Sequence, residues 1–155
     1  MKGQHDKAIA EGKRSVELNP NSADAHVWLG SILNYAGRAE EAIPLLEKAI
    51  RLNPFAHTWY FLQLGQAYSL SGRYDEAIAA YQRALQLSPN NLFAHLGLTA
   101  TYSQMGRDKE ASAHAKEVLR ISPDFSLDRY AEKIPYKSQA EKERRINALR
   151  KAGLK

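Results

Sequence analysis

The chain has 155 residues, with 22 lysines and arginines, 17 aspartates and glutamates, and no cysteine. The missing cysteine excludes disulfides, thiol chemistry and thiolate metal sites. The net charge of +5 sits in a tail: eight basic and two acidic residues follow from Lys133 onward, and the residues before it carry 14 basic against 15 acidic groups, so the charge is no whole-chain argument for nucleic acid.

Lys2, His5, Asp6 and Lys7 interrupt any apolar start of the kind a signal peptide needs, and the expected location is cytoplasmic. Residues 52–72 and 84–106 lack charge altogether. They contain Asn53, Pro54, His57, Gln63 and Gln66, or Ser88, Pro89, Asn90 and Asn91. A membrane helix needs about 20 predominantly apolar residues, so a span is not expected in either stretch.

In chain order, the first predicted element is a helix from about Gln4 to Leu18, with Ala8, Ile9, Val16 and Leu18 as its apolar positions. Asn21 or Ser22 can cap the next helix with a side-chain oxygen. That helix carries Val27, Leu29, Ile32 and Leu33 and stops near Gly37, because glycine tolerates the left-handed backbone of a helix end. A helix from about Ala39 to Leu52 follows, with a kink expected at Pro44. Trp59 to Leu62 opens a helix that is apolar on nearly every face, and a second one follows after Gly72. Asn90 or Asn91 caps a third pair, which ends at Pro123. Ser126 to Lys133 reads as a short helix stopped before Pro135. The capping box of Ser138 and Glu141 opens a last helix, to about Ala152, with Ile146, Leu149 and Ala152 as a narrow apolar stripe.

These elements repeat. Glycines at 3, 37, 72 and 106 are spaced by 34, 35 and 34 residues. The same intervals separate alanines 8, 42, 77 and 111, and prolines 20, 54, 89 and 123. A period of this size means stacked copies of one supersecondary unit. The opening helix matches the second helix of the later units and has no mate of its own. The chain is therefore expected to begin half-way through a repeat of a longer protein.

Phe61, Leu64, Gly65, Tyr68, Ala77, Tyr81, Ala84 and Pro89 carry a resemblance to the tetratricopeptide repeat, a helix pair of about 34 residues. The first unit matches at Leu29, Gly30, Leu33, Ala42, Leu46, Ala49 and Pro54, with His26 in the large aromatic slot. The third matches at Leu98, Tyr102, Ala111 and Pro123, with His95 in that slot and Thr99 for the glycine. A second resemblance rests on Asn53-Pro54-Phe55, Thr58 to Phe61, Gly72 to Ala77, and on the ending through Ile134-Pro135-Tyr136-Lys137 and Leu149 to Leu154. These look like the C-terminal repeats of bacterial signalling proteins whose upstream domain is a class III adenylate or guanylate cyclase, or a winged-helix domain.

The resemblance implies an all-α, right-handed superhelix with three full repeats, at 21–54, 55–89 and 90–123. A half repeat, 1–20, leads them and a helical cap, 124–155, closes them. It also implies that the first helices line a concave groove. The groove positions are then Asp24, Val27, Ser31, Asn34 and Tyr35; Trp59, Leu62, Gln66, Ser69 and Leu70; and Phe93, Leu96, Ala100, Ser103 and Gln104. The first helices of the second and third units carry no charge, so the expected ligand is an uncharged, partly apolar peptide or helix of a partner protein. Trp59, Leu62, Gln66, Phe93 and Leu96 are the expected central contacts. The implied role is a regulatory or assembly module of a larger bacterial signalling protein. The alternative is a homodimer formed through the open leading helix, with Ile9 and Val16 left exposed.

No catalytic site, cofactor or small-molecule substrate is expected. His5, His57 and His114 lack metal-ligand spacing. Glu40-Glu41 and Asp75-Glu76 open helices, where carboxylates favour the dipole. Arg144-Arg145 and Arg150-Lys151 read as the solvated face of a capping helix, so neither nucleic acid nor an anionic membrane is an expected partner.

Overall fold

The computed structural model describes residues 2–155, in which the only regular elements are nine helices. They are α1 (Lys2–Leu18), α2 (Ala23–Tyr35), α3 (Ala39–Leu52), α4 (Thr58–Leu70), α5 (Tyr74–Leu87), α6 (Leu92–Gln104), α7 (Asp108–Ile121), α8 (Leu127–Lys133) and α9 (Gln139–Lys151). The pairs α2–α3, α4–α5 and α6–α7 stack in sequence order, with α1 packed on α2.

Each pair is joined in the same way. Gly37, Gly72 and Gly106 have φ of 77°, 74° and 73°, a left-handed backbone that glycine adopts without penalty. The amides of Arg38, Arg73 and Arg107 then close back on Leu33, Tyr68 and Tyr102, each at 2.9 Å, which is the Schellman closure of a helix end. The same arginines stand at the N-caps of α3, α5 and α7 and pair with Glu41, Glu76 and Glu110. Ser22 and Asn91 are the caps of α2 and α6, their side chains accepting from Ala25 and Ala94. Pro44 leaves α3 unbroken; the carbonyl it cannot bond is that of solvent-facing Glu40.

Small residues set the distance between helices. Leu46 lies over Gly30, and Tyr81 lies over both Gly65 and Gly97. A Cβ on Gly97 would stand 2.4 Å from the Tyr81 ring and one on Gly65 2.8 Å. These glycines each cost about 1 kcal/mol against alanine in a helix, and the packing of a whole ring outweighs that. His26 and His95 are buried in the slot that Phe61 fills in the second unit. His26 Nδ1 lies 2.7 Å from the Ser22 carbonyl.

The leading helix departs from expectation. Ile9 is buried in the main core and Val16 is partly buried against it, so neither is left open. The exposed side chains near this end are Leu18 and Trp28. Trp28 is 61% exposed, whereas Gln63, at the same place in the next repeat, is 7% exposed. Gln63 is covered by the preceding first helix, through Asn34. Among the described residues no such helix precedes Trp28.

The tail folds back. Leu127, Ile146, Leu149 and Leu154 form a second core with Leu96, Ala100, Ala115 and Val118. Helix α9 begins with Glu141 beside Gly37, packs on α6, and ends with Lys151 Nζ 3.6 Å from Asp108. It thus crosses the concave face from the first repeat to the third. The extended segment before it is tied down by the Lys137 amide, which donates to the Tyr35 carbonyl at 2.8 Å. Among the described residues no helix is long and apolar enough to cross a membrane.

Candidate functional site: a cleft beneath the tail

Because α9 lies over the C-terminal halves of the first helices, the concave face stays open only at their N-terminal halves. There the structure has a cleft of about 580 Å³, within the usual size of ligand recesses. One wall is Trp59 and Leu62 of α4 with Phe93 of α6; the facing wall is Phe125, Tyr130 and Ile134 of the tail. Phe93 is 60% exposed. Trp59 is half-buried and meets Trp28 edge to face, ring centres 5.0 Å apart.

The inner end of the cleft is polar. The Arg145 guanidinium donates from Nε to the Tyr130 hydroxyl at 2.8 Å and lies 6.0 Å from that ring's centre. Tyr81 and Tyr136 stand around it, and Gln66 Nε2 donates to the Tyr136 hydroxyl at 3.0 Å. Tyr35 packs against Tyr136 with ring centres 5.3 Å apart. Burial pushes Tyr81 up to about 12 and raises Tyr136 and Tyr35, so all three phenols are neutral at ordinary pH. Burial acts against the Arg145 charge, but the charge that Tyr130, Tyr136 and Tyr81 take on when they ionise, with the Tyr130 hydrogen bond, raises its value well above the usual range. No ion pair among the described residues involves Arg145. Arg129 and Lys133 add positive charge at the rim against one acid, Asp124.

The sequence-derived groove residues divide four ways. Tyr35, Trp59, Leu62, Gln66 and Phe93 line the cleft. Leu70 and Gln104, with Ser69, lie under α9 around a small void of about 20 Å³. Val27, Asn34 and Leu96 have no accessible surface, and Val27 and Asn34 lie outside the cleft lining. Asn34 donates to the Gln63 carbonyl at 3.0 Å, while Leu96 floors the cleft beneath the tail core. Ser31 is nearly buried, and Asp24 accepts a hydrogen bond from the Tyr60 hydroxyl of the next repeat. The groove is also less neutral than the first helices suggest, because the tail brings Arg129, Lys133 and Arg145 to it.

Arg145 is the residue that sequence reading missed. Side by side, Arg144 and Arg145 look alike. Only register separates them: Arg145 lies one turn before Leu149, which is fully buried. Arg144 faces solvent.

Stacked helix pairs around a concave recess define a superhelical repeat protein. The tetratricopeptide repeat pattern matches residues 21–90 and again 68–132. The crystal structure of MamA has the same fold over 97% of this chain and 88% of its own, with 26% identity and a TM-score of 0.72. TTC0263, a thermophilic repeat protein of Thermus thermophilus, is 30% identical over 84% of this chain and 73% of its own, with a TM-score of 0.69. Small glutamine-rich tetratricopeptide repeat-containing protein 2 of Mycosarcoma maydis is 35% identical over 52 residues, which are 34% of this chain and 15% of that protein. The chain belongs to the tetratricopeptide repeat family and is a right-handed all-α superhelix.

Proposed function

We propose that this protein is an interaction scaffold that holds a peptide segment of a partner protein in the cleft between Trp59, Phe93 and the tail. The observation that carries the reading is an apolar, ligand-sized recess with an exposed aromatic ring at its mouth. Phe93 is exposed although a repeat array has ample core to receive it. Aromatic side chains at the centre of a contact supply most of its energy. The mechanism is surface burial in a preformed site, without chemistry. The resemblance of the Asn53 to Ala77 stretch and of the ending to cyclase-associated repeats supports a role as the regulatory or assembly module of a larger signalling protein. Apolar pentapeptides titrated by fluorescence polarisation test the site. Binding by the intact chain, lost in the Trp59→Ala, Phe93→Ala double variant with unchanged helix content, is the expected result. Undiminished binding by the double variant would place the site elsewhere.

A second reading is supported by Trp28. A ring that is 61% exposed, where the equivalent residue of the next repeat is covered, is an apolar surface suited to a second copy. Light scattering distinguishes it: a mass that stays monomeric at every concentration removes self-association and leaves the cleft reading intact.

A further inference from the structure

The stretch from Ile134 to Ser138 sits on the groove as a bound peptide would. It is not helical, and its Lys137 amide donates to the Tyr35 carbonyl at 2.8 Å. The Tyr136 ring lies against Tyr35, centres 5.3 Å apart, and its hydroxyl accepts from Gln66 Nε2 at 3.0 Å. Tyr35 and Gln66 are two of the groove positions, and the first turns of α9 go on to cover two more, Leu70 and Gln104. A ring seated in a pocket, with a main-chain bond beside it, is how an extended segment is recognised.

The two halves of α9 are held differently. Ile146 and Leu149 are buried with Leu127 and Leu154 in the core of the third repeat, and the Leu127 amide donates to the Lys155 carbonyl at 2.8 Å. Ahead of Ile146 no side chain of α9 is buried, and Gln139, Ala140, Glu143 and Arg144 are exposed. Arg145 bonds to Tyr130 of the tail itself. Glu141 Oε2 is shut away from water with no hydrogen-bond partner among the described residues, and an orphaned acceptor costs about 1–3 kcal/mol. It borders the void of about 20 Å³ shared with Gln66, Ser69 and Gln104. The first half therefore gains a ring contact and two hydrogen bonds from the first two repeats and is set against an unmatched carboxylate. The second half is fixed by apolar burial that has no such offset.

We propose that residues 134–145 are a strap acting as the groove's own ligand. The strap unwinds from the first two repeats while Ile146 to Leu154 stay docked on the third. A partner's extended segment, with a tyrosine where Tyr136 sits, then takes its place. This goes beyond the cleft reading, because the strap covers the C-terminal halves of the first helices. A tethered ligand competes at a high effective concentration, so a partner's affinity is reduced by the fraction of molecules that are open.

The test uses the intact chain and a fluorescein-labelled peptide copying residues 132–142. The Tyr136→Ala chain should bind this peptide at least about tenfold more tightly than the unaltered chain. Lys137→Pro, which removes the amide bonded to Tyr35, should give a smaller gain. A peptide with alanine in place of its tyrosine should bind to none of them. Hydrogen exchange on the unaltered chain gives a second readout, independent of how the variants fold. Excess peptide should speed exchange of the Lys137 and Lys142 amides, now bonded to Tyr35 and Ser138, and leave Leu149 as protected as before. Equal binding by the Tyr136→Ala and unaltered chains overturns the strap, as does equal binding of the alanine peptide. Peptide binding without loss of protection at Lys137 and Lys142 places the peptide elsewhere and overturns it too. No binding of the tail peptide by any chain also overturns the strap, and the cleft reading, tested with apolar pentapeptides, stands or falls separately.

Discussion

The two ends of the array are built from the same repeat and finished differently. At the C-terminal end, α8 and α9 cover the apolar faces of α6 and α7, and Leu96, Val118, Leu149 and Leu154 are all fully buried. At the other end α1 covers the back of α2, and among the described residues nothing covers its flank, where Trp28 is exposed. A repeat buries its own hydrophobic seam only against a neighbour. The C-terminal end solves this with a tail that does two jobs: it seals the core and supplies one wall of the cleft with its arginine.

The comparison can be broken most forcefully at the sealed end. Leu149→Ala removes a fully buried side chain from the tail core and should cost about 2–5 kcal/mol, read by urea unfolding. Peptide binding in the cleft should fall with it, because the tail forms one wall of the cleft. A loss below about 1 kcal/mol would mean that the tail is attached rather than integral. The middle of the array comes next. Gly97→Ala drives a methyl into the Tyr81 ring and should cost about 1–3 kcal/mol by over-packing. Tyr81→Leu should relieve much of that cost, and a double-mutant cycle measures the coupling.

Acid gives a smaller effect at the sealed end. His95 Nε2 faces the Pro89 carbonyl at 3.0 Å, and its Nδ1 faces His114 Nδ1 at 3.0 Å. His114 is also stacked on Tyr102. Burial, then the neighbouring His95, lower the His114 value below its ordinary 6.5, with Glu117 opposing. The unfolded chain therefore takes up the proton first as pH falls. The contribution of neutral His114 is complete above about pH 6.5, declines below it, and levels off once the folded form protonates as well. Thermal melts between pH 7.5 and 5 should show this slope, and His114→Phe should flatten it. Trp28→Gln at the open end should give the least change, within about 0.5 kcal/mol in a monomer. A larger loss that depends on protein concentration would show that the open end is occupied by another copy.

The fold was legible in this sequence because its determinants are local and recur. The glycine ahead of each second helix, the alanines at close contacts and the proline behind each pair fall at one period. The resemblance to the tetratricopeptide repeat places the first helices on the concave wall, and the lack of charge on those of the second and third units agrees with it. What escaped was the direction of the tail. A helix with Ile146 and Leu149 on one side reads as a cap, and it is one. Nothing local says that it returns across the groove, because that depends on contacts such as Lys137 with Tyr35, far apart in sequence. So Val27, an expected contact residue, is core, and Leu96 lies buried beneath the cleft it lines. Arg145 was expected in solvent and lies at the inner end of the cleft. The exposure of Trp28 was hidden for the same reason: its counterpart Gln63 owes its burial to a neighbouring helix rather than to its own sequence.

The contact of Tyr81 with both Gly65 and Gly97 has a consequence for the order of the repeats. Tyr81 occupies in its unit the place that Leu46 holds in the unit before, and Gly97 the place of Gln63. A large residue is thus followed by a glycine, and a medium one by a glutamine. Duplicating residues 55–89 would set the first copy's Tyr81 against the second copy's Gln63, where the ring has no room. The units look interchangeable by consensus, yet each junction carries its own lock and key. An engineer lengthening this array would have to copy junctions, taking the second helix of one unit together with the first helix of the next.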